Sequence, residues 1–129
     1  MRFAIASRNF IDVSGHAGQA RRWLLFETDQ KKNILPPRML ELAKKQTFHH
    51  HKSSVPEAFQ DVSVVIAKSA GEGFAKRLKR LGITVVLTSE QDPNQAIRDY
   101  MENSVKAPAP SPIASIFCKI RDHFSTESH

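Results

Sequence analysis

The stretch Asp61–Thr88, DVSVVIAKSAGEGFAKRLKRLGITVVLT, carries the pattern of a strand, a helix and a second strand. Val62, Val64, Val65 and Ile66 form a β-branched run, the composition of a strand buried on both faces. Ser69 stands three residues before Glu72, a capping-box spacing that predicts a helix beginning at Ser69. Phe74, Leu78 and Leu81 then share one helical face, and Lys76, Arg77, Lys79 and Arg80 fall largely off it. Gly82 stands where a C-cap glycine belongs, and Ile83 to Leu87 reads as a second buried strand. Two such strands joined by one helix make a right-handed βαβ crossover with parallel strands.

Upstream, Arg2 to Ser7 is small and apolar and reads as a first strand. A loop from Arg8 to Ala20 follows, with Ser14-Gly15-His16-Ala17-Gly18 at its centre. Gly15 and Gly18 would let backbone approach a ligand beside His16; the same residues also read as a plain turn carrying a surface histidine. Trp23 to Phe26 is the apolar heart of a strand over Arg21 to Thr28, and Asp29 to Asn33 suits a hairpin turn. Pro36-Pro37 bars a helix just before it, and Arg38 to Lys45 fits either helical or strand spacing. A partner for the Trp23 strand favours the strand. His49-His50-His51 cannot all face one way, so at most two reach one ligand. Metal or cluster ligation and a solvated basic loop both fit that run.

Downstream, Asp92 is an N-cap, Pro93 takes the first helical position and Gln95 has the spacing to close a capping box. Ala96, Ile97, Tyr100 and Met101 share the face that should pack on the sheet. Residues 104–112, including Ala107-Pro108-Ala109-Pro110, read as a linker from the domain 1–103. In 113–129, Ile113, Ile116, Phe117, Ile120 and Phe124 make an amphipathic helical stripe, able to dock in cis or on a partner. Cys118 beside it reads as packing.

The 129 residues suit one domain with its own core, and no apolar run is long enough to span a membrane. The N-terminus reads as a strand and not as a signal peptide. One cysteine excludes an intramolecular disulfide and a four-thiolate iron–sulfur site, and fits a reducing, cytoplasmic compartment. A net charge of +6 favours anionic partners, though solubility alone also accounts for it.

MRFAIAS at the start, VSGHAGQARRWLLFE at 13–27 and DVSVVIAKSAGEGFAKRLKRLGITVVLTSEQDPNQAIRDYM at 61–101 together resemble the dinitrogenase iron–molybdenum cofactor biosynthesis family. No single motif carries the resemblance; the order and spacing of all three do. It implies a single α/β domain of ribonuclease H-like, three-layer arrangement, with a mixed five-stranded sheet flanked by helices. It also implies, for some members, the binding of anionic iron–sulfur or molybdenum–sulfur clusters. By resemblance His16 falls where the family places a glycine-flanked histidine. His49, His50 and His51 follow the third strand, near where some members carry a histidine implicated in cluster binding.

Three functions follow as expectations. The first is a non-enzymatic carrier of an iron–molybdenum–sulfur or related metal–sulfur cluster, transiently bound, serving nitrogen fixation through a metalloenzyme or cofactor-synthesis partner, as monomer or homodimer. Its crevice would lie at carboxyl ends of strands, between His16 with Gly15 and Gly18 and the Ser69-Ala70-Gly71-Glu72-Gly73 turn, whose helix aims amide donors into it. The second is an interaction or regulatory module of the same fold, acting through the tail. The third, nucleic-acid processing, is disfavoured, because two-metal nucleases need clustered carboxylates and Asp12, Glu27 and Glu41 are scattered. The turn after Ser69 also lacks the lysine of a phosphate-binding P-loop.

Overall fold

Strand β1 (Arg2–Ala6) is the axis of the sheet, paired antiparallel with β2 (Arg22–Glu27) and parallel with β4 (Val64–Ala67). The structure is a computed structural model that describes residues 1–50 and 55–108, without the side chain of His50. Outside β2 lies β3 (Arg38–Glu41), antiparallel; outside β4 lies β5 (Thr84–Leu87), parallel. The mixed five-stranded sheet therefore runs β3-β2-β1-β4-β5, the ribonuclease H-like arrangement expected. The stretch that fits either helix or strand spacing forms β3, its Leu40 opposite Trp23.

Alternation along the strands sorts the core into two layers. Ala4, Ala6, Trp23, Val65 and Ala67 face one side and meet Phe74 and Leu78 of helix α1 (Glu72–Arg80). Phe3, Ile5, Leu24, Phe26, Val64 and Ile66 face the other and meet Ala96 and Ile97 of helix α2 (Pro93–Met101). All four residues of β4 are buried, as a strand covered on both faces must be.

Local details depart from expectation. Helix α1 begins at Glu72 behind an extended Gly71, not at Ser69, and no side chain caps it. The Ser69 hydroxyl is instead an acceptor for the His16 N–H at 2.8 Å. Leu81 leaves the apolar stripe at the end of α1 and is exposed. β5 is an edge strand, so Thr84 and Leu87 are exposed rather than buried. Asp92 does cap α2, accepting from the Asn94 N–H at 3.1 Å. Gln95 does not close the box: the Asp92 N–H donates to Glu90 Oε2, and Gln95 Nε2 donates to Asp99 Oδ1 at 2.8 Å.

At the start of the expected linker the chain is tied down. Ser104 N–H donates to the Asp99 carbonyl at 2.7 Å, and Ser89 N–H to the Lys106 carbonyl at 2.7 Å. Lys106 Nζ lies 2.8 Å from Glu90 Oε1 and 3.4 Å from the buried Asp99. The expected amphipathic helix in 113–129, Cys118 and His51 lie outside the described residues. Among the described residues no helix is long and apolar enough to cross a membrane.

Candidate functional site

Because β1 and β4 run parallel, the loops leaving their carboxyl ends emerge side by side. They are stitched together by backbone, Lys68 N–H to the Ser14 carbonyl at 2.9 Å and Ala17 N–H to the Ser69 carbonyl at 3.1 Å, while Ser14 N–H folds the first loop back on the Ala6 carbonyl of β1 at 2.8 Å. Gly15 is required by this closeness, since a Cβ there would sit 2.5 Å from Ser69 Oγ. His16 then takes a left-handed conformation, φ 54° and ψ 51°, which costs a side-chain-bearing residue free energy. Its amide hydrogen bond to Ser69 and the burial of Ala17 hold it there, with the imidazole exposed.

The histidine run is positioned by aromatic packing. Phe48 is fully buried, with ring centroids 5.7 Å from Trp23, 4.6 Å from Phe59 and 5.2 Å from Phe74, all edge to face. The 3₁₀ turn Phe48–His50 is thereby pinned, and it packs on the short turn Ala17–Gln19 that follows His16. Arg77 reaches across from α1, donating from Nη2 to the Phe48 carbonyl at 2.7 Å. Its Nε is buried with no hydrogen-bond partner. Burial, then the nearby Arg80, lower the Arg77 pKa from the ordinary guanidinium value.

His16, Gly18, His49, Gly71, Gly73 and Arg77 line one open pocket of about 540 Å³. Gly71 and Gly73 have open space around them: a Cβ at either would meet nothing within 4 Å. Two imidazoles, a guanidinium with an unsatisfied nitrogen and the uncapped start of α1 thus share one cavity. Imidazole is a metal ligand, and the other two favour negative charge. Gly15 and Ser69 stand behind this pocket as supports: neither lines it, and their contact sets the His16 loop.

Arg77 is the site residue that sequence reading missed. Phe74, Arg77, Leu78 and Leu81 fall at i, i+3, i+4 and i+7, so Arg77 flanks the apolar stripe; that spacing was the available signal. Gln19 and Phe74 also line the pocket.

Solved structures share the fold. A crystal structure of the protein PH0822 aligns with a TM-score of 0.66 at 20% identity, covering 83% of this chain and 94% of that one. MJ0327 of Methanocaldococcus jannaschii gives 0.62 at 16% identity over 82% and 92%. The apo form of the orange protein of Desulfovibrio gigas gives 0.59 at 16% identity over 84% and 92%. Among curated proteins none matches the chain. The family model for "dinitrogenase iron-molybdenum cofactor" matches residues 1–103, four-fifths of the sequence, and the chain belongs to that family.

Proposed function

We propose that the pocket between His16 and His49 receives an anionic iron–molybdenum–sulfur or related metal–sulfur cluster as cargo, and that the protein carries it without transforming it. The observation that supports this reading is the convergence of two separate histidine segments, 33 residues apart along the chain at His16 and His49, on one cavity with a guanidinium and two open glycines. Among the described residues no three His, Cys, Asp or Glu side chains group as a metal site. A bare structural metal would need about four such ligands. A preformed cluster brings its own sulfides and needs only an open metal position or two, which imidazole suits. Arg77 and the amides at the start of α1 would meet its negative charge. Transient holding, and release to a cofactor-synthesis or metalloenzyme partner, follow from so few covalent ties.

The test is anaerobic titration of the purified protein with an iron–molybdenum–sulfur cluster, followed by visible absorption and bound metal. The expected result is a saturable charge-transfer band with stoichiometric metal, lost in His16→Ala and His49→Ala. Parallel His50→Ala and His51→Ala variants identify which neighbour shares the role. No uptake by the intact protein overturns the proposal and moves attention to an interaction role for residues 113–129.

A further inference from the structure

On the other side of His16 lies a second cavity of about 350 Å³, into which Arg8, Ser14, Arg21, Arg22 and Glu41 project, and which shares His16 and Gln19 with the first. Three guanidiniums line it with a single carboxylate, which only Arg21 and Arg22 approach. Glu41 is 3.5 Å from Arg21 and 3.5 Å from Arg22, longer than the roughly 2.7–2.9 Å of a strong charge-assisted hydrogen bond. It therefore offsets one positive charge of three and holds neither arginine tightly.

The arginines are fixed instead by backbone and ring. Arg21 Nε donates to the Leu42 carbonyl at 3.0 Å, and Arg22 Nη1 donates to the Arg8 carbonyl at 3.1 Å. The Arg22 guanidinium also lies 5.7 Å from the centre of the Phe10 ring. Arg8 has no side-chain hydrogen bond or ion pair among the described residues, and its amide donates to Ser14 Oγ, leaving that hydroxyl its own proton to give. The cleft thus presents two pre-positioned guanidinium forks, one unengaged guanidinium and a hydroxyl donor, with net positive charge.

We infer that this cleft is a second anion site, which takes a small, multiply charged oxoanion on the opposite side of His16 from the cluster pocket. Planar guanidinium forks match the paired oxygens of phosphates and carboxylates alike. The inference does not depend on cluster carriage, because none of the three arginines lines the first pocket. An occupant here would touch the same His16 loop, so the two sites would sense one another through that loop.

The test is a titration of the full ¹⁵N-labelled protein with sodium pyrophosphate, and separately with sodium malonate, at constant ionic strength. The expected result is saturable shifts centred on the amides of Ser14, Gly15, His16 and Arg22 with at least one of the two. Saturation by pyrophosphate alone assigns phosphate chemistry, and by malonate alone carboxylate chemistry. Arg8→Gln should weaken binding about tenfold, the loss of one charged hydrogen bond, and its unengaged side chain makes the variant safe for folding. Glu41→Gln should tighten binding about threefold by removing the competing carboxylate. Shifts that never saturate, that spread over the whole basic surface, or that are unchanged in Arg8→Gln overturn the inference.

Discussion

His16 carries backbone strain in the loop after β1 and lines the pocket beside it. A left-handed conformation costs an ordinary residue on the order of 1–2 kcal/mol, and glycine adopts it freely at an entropic cost of about 0.5–1 kcal/mol. His16→Gly should therefore lie within about 1 kcal/mol of the native stability, or above it, in urea denaturation, yet lose cluster uptake. Equal loss of stability and uptake would show that the imidazole serves the fold. Gly15 and Ser69 make a coupled pair. Gly15→Ala places a methyl 2.5 Å from Ser69 Oγ and should cost about 1–3 kcal/mol, whereas in a Ser69→Ala background the same change should cost roughly half as much. Additive losses would mean the two residues do not press on each other. The sequence made Gly15, His16 and Ser69 visible as separate candidates. The bond between Ser69 and His16 was hidden because Ser69 and Glu72 imitate a capping box, and nothing local tells a serine that its hydroxyl is already engaged 53 residues away.

At the scale of elements, β4, β5 and both helices were legible because each carries its own period: β-branched runs for β4 and β5, and apolar spacing for α1 and α2; β3 fits two periods and was read as a strand only as a partner for the Trp23 strand. The end of α1 was legible too. Gly82 has φ +84°, its N–H donates to the Lys79 carbonyl, and the Ile83 N–H reaches the Leu78 carbonyl at 2.8 Å, which together form a Schellman cap. Gly82→Ala should cost about 1 kcal/mol by denaturant unfolding, and no loss would mean that the cap relaxes. The short 3₁₀ turns Phe48–His50 and Glu57–Phe59 were not legible, since they carry no local period and are anchored by long-range aromatic packing. Phe48 and Phe59 pack edge to face with Trp23 from β2, a partnership no local period announces. Phe48→Ala should cost about 3–5 kcal/mol, and the milder Phe48→Leu should keep the fold while weakening cluster binding, because His49 rides on that anchor. Unchanged binding in Phe48→Leu would separate the aromatic cluster from the site.

At the scale of the molecule, one sheet serves two tasks: its faces hold α1 and α2, and its carboxyl-end loops gather the charged side chains. The opposite side of that end is closed by Ser104–Lys106, with Lys106 hydrogen-bonded to Glu90. That bond lowers the Glu90 pKa below the ordinary carboxylate value and raises that of Lys106 above the ordinary amine value. Glu90 thus contributes stability above its unfolded pKa that is lost as pH falls through the lowered folded one. Lys106 contributes below its unfolded pKa, a contribution lost as pH rises through the raised folded one. Hydrogen-exchange protection of the Ser89 amide, which donates to the Lys106 carbonyl, should therefore fall at both acid and strongly alkaline pH, after correction for intrinsic exchange, and fall at all pH in Lys106→Ala. Protection independent of Lys106 would show that the strap is held elsewhere. The central claim concerns where a cluster would sit, and paramagnetic broadening of backbone amide signals locates it most directly. On anaerobic addition of one equivalent of a paramagnetic iron–molybdenum–sulfur cluster, the amides of His16–Gly18, Phe48–His49 and Gly71–Gly73 should broaden first, while those of α2 stay sharp. Uniform broadening, or broadening centred on any other surface, would contradict the account.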